Sequence, residues 1–221
     1  MKYLRKFATE AELSAWQSSS EYAKPNVVLA EGGINYNIPQ LGVYIQHIDG
    51  TLYDEAGWTR GGFSNDEANG VAVITEKASF VIAKAELGKM AWSSINTLMD
   101  GILTTTDSAT ALTDYAGYDN TQLMLATYTS GAGYSCANFT FPNGNKGYLP
   151  ALGELNEAYS NKSKISSLMT KIGGTAFGDY RYRSSTQGNR YKSWNLYWGN
   201  GNTFNDDKSN ATFTVRAFSA L

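Results

Sequence analysis

Hydrophobic and polar positions along the chain change period several times, and each change marks an element. Thr9 and Glu12 make a T-x-x-E capping box ahead of Leu13 and Trp16 at helical spacing, which predicts a short helix near the start. Pro25 ends any helix before it. Asn26–Ala30 and Ile34–Ile38 then read as a hairpin turned at Glu31-Gly32-Gly33. Residues 1–40 are therefore expected to be an N-terminal helix/hairpin appendage serving assembly or attachment.

From Leu41 the period is two. Gly42–His47 alternates into an Asp49-Gly50 turn and a second strand from Thr51. Trp58–Asn69, rich in Gly, Asn and Asp, is expected to be loop, and Gly70–Ile74 and Ser79–Ala83 are apolar β runs. Asp119 is placed to cap a helix carrying Leu123, Met124 and Tyr128, with Gly131 and Gly133 ending it. Pro150 suits the first turn of a helix whose Leu152, Leu155 and Tyr159 share a face. Ile165, Leu168, Met169 and Ile172 continue the helical spacing up to a Gly173-Gly174 cap. Ser193–Trp198 alternates again, predicting Trp194, Leu196 and Trp198 in the core with Asn195 and Tyr197 on display. Gly199-Asn200-Gly201 reads as a turn, and in the final strand, Phe213–Phe218, either alternate set can face inward.

Composition narrows the function class. A net charge of -2 with 17% charged residues offers no basic stripe for phosphates, so nucleic acid is not an expected partner. An aromatic content of 13%, with 15 Tyr, matches the vocabulary of binding loops. The single cysteine, Cys136, excludes an internal disulfide framework and a multi-thiolate zinc site, and among small neighbours it reads as a buried thiol. Met1–Trp16 is charged and lacks a signal-peptide apolar run, so cytoplasmic synthesis without membrane insertion is expected. His47 shares a strand face with Asp49, formally part of a Ser-His-Asp set, but a lone strand histidine is usually packed or at the surface. Glu154 and Glu157 read as a solvated helix face, and Asp206-Asp207 as a hydrated turn rather than a calcium site. No metal or cofactor is expected, and no catalysis.

Four separated motifs then agree in order and spacing: Gly147-Tyr148-Leu149-Pro150-Ala151-Leu152-Gly153-Glu154, Ser184-Ser185-Thr186-Gln187, Trp194-Asn195-Leu196-Tyr197-Trp198 with Asn200-Gly201, and Val215-Arg216-Ala217-Phe218. Residues 41–221 in this respect resemble the variable proteins of diversity-generating retroelements, whose C-type lectin fold is shared by formylglycine-generating enzymes. The resemblance implies an α+β, C-type lectin-like domain with two helices and a twisted antiparallel sheet. In that family, error-prone copying at template adenines rewrites a cassette near the gene's end and diversifies a binding surface on a fixed scaffold. The enzyme branch of the fold needs two active-site cysteines, and only Cys136 is present. The calcium-dependent sugar-binding branch uses Glu-Pro-Asn-like and Trp-Asn-Asp motifs, neither of which stands here.

The resemblance implies a variable region at 179–214. The stretch is crowded with residues that adenine-mutated Asn codons reach, among them Asp179, Tyr180, Tyr182, Asn189, Arg190, Tyr191, Asn195, Tyr197, Asn202, Phe204, Asn205, Asp206, Asp207, Asn210 and Phe213. With Arg181 and Arg183 they make the expected ligand-binding set. Arg183 stands where relatives commonly have Trp, which leaves it either scaffold or varied. Gln187, Lys192, Trp194, Trp198 and Lys208 cannot arise from such codons and are expected to be scaffold, unless other template codons encode them. The implied function is receptor binding by a phage tail-tip protein carried on the virion, with a protein or glycan on a cell surface as partner. The alternatives are a bacterial surface adhesin of the same fold and a fold relative with unrecognised enzymatic activity through Glu154 or His47. Whether the chain acts alone, as a homo-oligomer such as a trimer, or within a virion stays open.

Overall fold

The computed structural model describes residues 28–30, 33–35, 41–93 and 95–221. The chain divides into two compact units, Met1–Gln40 and Leu41–Leu221. In the first, strands β1 (Val28–Ala30) and β2 (Gly33–Asn35) pair antiparallel, with Leu29 opposite Ile34. The helix expected at Thr9–Trp16 lies outside the described residues.

The second unit is α+β. It opens with β3 (Gly42–His47) and β4 (Leu52–Tyr53), joined by the Asp-Gly turn as the alternation predicts. The expected loop after Trp58 is instead helical at its start: α1 (Glu55–Gly61) buries Trp58. Its signals are local, since the Asp54 carboxylate accepts the Gly57 amide at 2.6 Å and Gly62 takes the left-handed cap at φ +68°. With one buried residue the helix shows no apolar period, which is why its sequence reads as loop. β5 (Ala68–Ile74), β6 (Ser79–Ile82) and β7 (Gly88–Lys89) follow, then α2 (Ser108–Ala111), α3 (Gly117–Leu125) and α4 (Ala132–Asn138). α3 starts at Gly117, two residues before the cap expected at Asp119. Gly131 does not break a helix; at φ +95° it starts α4. Gly133 sits inside α4, where a Cβ would come within 2.8 Å of Met124 Sδ.

α5 (Leu152–Ser160) and α6 (Lys162–Lys171) follow the periodicity, and Gly173 closes the pair at φ +68°. The chain ends in β8 (Arg181–Gln187), β9 (Lys192–Tyr197), β10 (Thr203–Asp207), β11 (Thr214–Val215) and β12 (Phe218–Ser219). Asp206-Asp207 thus belong to a strand, not to a turn. The described residues hold six helices, more than the two the resemblance implies, because α1, α2 and α4 carry little apolar repeat beyond the three helices that the spacing predicts.

Two five-stranded sheets result, ordered β12-β6-β5-β3-β4 and β10-β9-β8-β11-β7. All pairings in them are antiparallel except β11 with β8. Alternation along β5 and β6 sends Val71, Val73, Phe80 and Ile82 into one core cluster and Ala72 and Val81 into another, so the first sheet is covered on both faces. The first cluster takes Leu152, Leu155, Ile165 and Leu168 from α5 and α6, Trp194 and Leu196 from β9, and Trp198 just past its end. The second takes Met124, Cys136, Val215 and Ala217. Phe213–Phe218 is buried on both alternate sets, because β11 joins one sheet and β12 the other.

Glu154 corrects the reading of a solvated face. It is 5% exposed, with Oε1 accepting from Tyr148 Oη at 2.9 Å and Oε2 from the Ala151 amide at 2.7 Å. A Cβ at Gly117 would lie 2.1 Å from the same carboxylate, so only glycine fits there. Burial pushes the Glu154 carboxyl up from 4.5 to about 7, with the Asp114 charge adding to the rise. The folded form therefore holds a proton that the unfolded chain releases near its ordinary value, and stability falls as pH rises through about 7. Thermal unfolding of the wild type between pH 5 and pH 8 should lose on the order of 2 kcal/mol more than that of Glu154→Gln. Equal slopes for the two proteins would show that Glu154 is solvated.

Candidate functional site

Strand alternation divides the C-terminal sheet into an inner and an outer face. Trp194 and Leu196 of β9 and Tyr182 of β8 point inward, where Phe177 stacks on Trp198 with ring centroids 3.8 Å apart. The register sets Arg181 opposite Tyr197, Arg183 opposite Asn195 and Phe204 opposite Asn195, so these side chains share the outer face with Asp206.

Arg181 organises the exposed part of that face. Its Nη1 meets Asp206 Oδ2 at 2.8 Å, and its guanidinium lies 3.8 Å from the centre of the Phe204 ring. Both members of the ion pair are about one-third exposed, so the pair orders the side chains more than it stabilises the fold. Tyr180 is exposed beside it with Lys89 Nζ 5.0 Å from its ring centre. Lys89 comes from β7, distant in sequence, and nothing in the C-terminal pattern signals it. At the other end Tyr191 is exposed, with the Arg190 guanidinium 5.5 Å from its ring centre.

The expected ligand-binding residues separate by environment. Asp179, Tyr180, Arg190, Tyr191, Asn202 and Asp207 are exposed, and Arg181, Asn189, Tyr197, Phe204, Asn205, Asp206 and Asn210 are half-buried. Two of the asparagines cap backbone amides instead of displaying side chains, and a third packs against a glycine. Asn189 Oδ1 accepts the Tyr191 and Lys192 amides at 2.8 and 3.0 Å, and Asn210 Oδ1 accepts the Thr212 amide at 2.9 Å. Asn205 packs on Gly188, where a Cβ would lie 1.9 Å from its Oδ1.

Four residues expected on display are buried: Tyr182, Arg183, Asn195 and Phe213. Tyr182 belongs to the inner face, and its hydroxyl donates to Glu86 and accepts the Gly178 amide at 2.9 Å. Arg183 points outward but is roofed by the segment after β10. It donates to Ser193 Oγ at 2.9 Å and to the carbonyls of Asp207 at 3.0 Å, Lys208 at 3.4 Å and Asn210. Phe213 closes this roof, its ring centre 4.7 Å from the guanidinium. Burial draws Arg183 down to about 10, so it stays charged while forming part of the buried framework under the roof. Asn195 lies under Asp206, to which its Nδ2 donates at 3.3 Å.

Of the residues excluded by codon logic, Gln187, Trp194, Trp198 and Lys208 are buried while Lys192 is exposed. Lys208 Nζ donates to Thr97 O at 2.8 Å and Gln187 Oε1 at 2.7 Å above the Trp92 ring. Burial without a carboxylate partner draws this amine down to about 8.

Elsewhere, His47 packs among Tyr53, Trp58 and Phe63, with Nδ1 2.9 Å from Asp49 Oδ1. Cys136 is fully buried, which raises its thiol far above the ordinary value and keeps it protonated. Among the described residues no group of three or more His, Cys, Asp or Glu is placed to hold a metal ion. None of the described helices is long and apolar enough to cross a membrane.

No family model matches the chain, and no curated protein matches it. Among solved structures the chain is similar to a fimbrial protein from Bacteroides ovatus ATCC 8483, with a TM-score of 0.53 and 15% identity. The match covers 82% of this chain and 49% of that one, so this chain spans about half the length of its structural neighbour. Likeness at that identity concerns the fold, which is mixed α+β in agreement with the reading of the sequence.

Proposed function

We propose that Leu41–Leu221 is a receptor-binding domain, a C-type lectin-like variable protein of the retroelement kind, whose outer sheet face carries the diversified contacts. The observation that carries this is the division of one short stretch by alternation. Arg181, Tyr197, Phe204 and Asp206 sit together on a partly exposed face while Tyr182, Trp194, Leu196 and Trp198 fill the core behind them. Tyr and Arg are the residues that dominate interface energetics, and both are held here by neighbours before any partner arrives.

In its first form the reading places the domain on a phage tail tip, with a host surface protein or glycan as partner and the virion as its final location. The second form is a bacterial surface adhesin, which the fold likeness to a fimbrial protein favours. Neither form assigns the chain a catalytic step or a cofactor.

The gene's neighbourhood gives the first test. A reverse-transcriptase gene and an adenine-rich near-copy of codons 179–214 are expected, with the copy's adenines falling on codons for exposed residues such as Tyr180, Arg190 and Tyr191. Adenine substitutions concentrated instead on Tyr182, Trp194 and Trp198, or no near-copy at all, would contradict retroelement diversification. The second test separates binding from folding. A fluorescent copy of the full chain is screened on a panel of bacterial strains, and the strain it labels becomes the target. Tyr180→Ser, Tyr191→Ser and Phe204→Ser should each shift stability by about 0.5 kcal/mol while at least one costs about 2 kcal/mol of affinity. Tyr182→Ser should instead destabilise by about 3 kcal/mol, as loss of a core aromatic does. Three surface variants that bind as well as wild type would rule out this face.

A further inference from the structure

Each five-stranded sheet has two edges, and three of the four offer little to a further strand. β4 and β7 are two residues long, and β12 is covered on its free side, where Tyr148 and Phe218 exchange both backbone bonds at 2.7 and 3.0 Å. The fourth edge, β10, runs for five residues with no proline and no bulge in its pairing with β9. Proteins ordinarily blunt such an edge, because its open backbone groups template another strand.

The ladder fixes which groups are open. Tyr197 N donates to Asn202 O and Lys208 N to Tyr191 O, both at 2.8 Å, so the even-numbered residues of β10 turn their backbone toward β9. Thr203, Asn205 and Asp207 turn theirs to the free side. The Asp207 carbonyl is taken by Arg183 and by the Asn210 amide. The amides of all three residues and the carbonyls of Thr203 and Asn205 have no partner among the described residues, and every residue of β10 is at least partly exposed. Donors and acceptors alternating along one line are the complement of an extended backbone.

Side chains restrict that backbone further. β10 holds two carboxylates and no cation. Asp206 is paired with Arg181, whereas the exposed Asp207 carboxylate makes no hydrogen bond or ion pair with a described residue, even with Lys192 opposite it. A guest residue standing across from Asp207 is favoured if basic. Three positions further along an antiparallel guest, on the other face, a residue stands beside Phe204, which favours an apolar side chain there. A second copy of β10 supplies no cation in any register.

We infer that β10 is a docking edge for an extended segment of a protein partner, in which Lys or Arg precedes an aromatic or β-branched residue by three positions. The inference rests on the receptor-binding reading for what the partner is, and gives that receptor a strand to dock. Backbone bonds do not depend on side-chain identity, so the edge serves every variant of a diversified face.

The test uses the full chain labelled with nitrogen-15 and short, terminally blocked peptides of alternating Thr and Val in which Lys precedes Tyr by three positions. In the free chain the Thr203 and Asn205 amides should exchange with deuterium unprotected, while those of Phe204 and Asp206 are protected. Millimolar peptide should shift the Thr203, Asn205 and Asp207 amides saturably and slow their exchange. N-methylation of the peptide at Lys and every second residue after it should abolish this, and methylation of the other set should not. That contrast leaves the protein itself unaltered. Asp207→Asn should weaken binding about threefold, the loss of one exposed ion pair. Protection of Thr203 and Asn205 in the free chain at every protein concentration shows an edge already covered and overturns the inference. Protection that grows with protein concentration assigns the edge to a second copy and overturns it too. So do the absence of a saturable shift, equal loss from the two methylation patterns, and equal binding of a peptide with Glu for Lys. If the peptides fail while Tyr180→Ser or Tyr191→Ser still loses cell attachment, the receptor-binding face stands without its edge. Failure of both removes the face as well.

Discussion

Ser184-Ser185-Thr186-Gln187 puts four polar side chains in the middle of the protein, and the geometry of the C-terminal sheet depends on satisfying them. A buried hydroxyl or amide without a partner costs free energy that an apolar contact cannot return. Each of the four is therefore tied to a different part of the chain. Ser184 Oγ donates to Trp194 O at 2.8 Å, and Ser185 Oγ accepts from Asn120 at 3.1 Å. Thr186 donates to Asp114 at 2.8 Å while accepting the Leu152 amide at 2.9 Å. Gln187 bonds the Met99 amide and carbonyl at 3.0 and 2.8 Å and receives Lys208. Hydrogen bonds are directional, so this spine fixes β8 against α3, α5 and β9 in one arrangement.

That fixed strand supports an outer face whose side chains Arg181, Tyr197, Phe204 and Asp206 are partly exposed. Two buried cations extend the support outward, since Arg183 gathers the carbonyls after β10 and Lys208 pins the same segment to Thr97. Burying charge is expensive, and each cation is held largely by carbonyl and amide oxygens rather than by a carboxylate. The arrangement secures the course of the segment through specific bonds that an apolar filling would not provide. Arg181, Tyr180 and Tyr191 then stand on backbone whose path does not depend on them.

Much of this was legible in the sequence wherever one period governed one element. The inward set Trp194, Leu196 and Trp198, the apolar face of α5 and the Gly173 cap all follow from local spacing. The failures share a cause. Asn195 obeys the same alternation and does face outward, yet Asp206 and the roof over Arg183 bury it, and no periodicity encodes that second covering. Glu154 looks like half of a solvated pair because Tyr148 and Gly117 reach it through the fold. The information for α1 lies in its caps, Asp54 and Gly62, and only Trp58 in its interior is buried, so no apolar period marks it. Lys89 beside Tyr180 is a contact between strands far apart in the chain, outside the reach of any window along it.

If a rigid polar spine carries a tolerant face, the two classes of position separate under substitution. Saturation mutagenesis of codons 179–214, read out by protease resistance of the displayed full chain, measures this position by position without requiring a ligand. Broad tolerance is expected at Tyr180, Arg181, Arg190, Tyr191 and Asp207. Sharp intolerance is expected at Tyr182, Arg183, Ser184–Gln187, Trp194, Trp198 and Lys208. Uniform tolerance along the stretch, or free substitution of Thr186, Gln187 and Lys208, would contradict it.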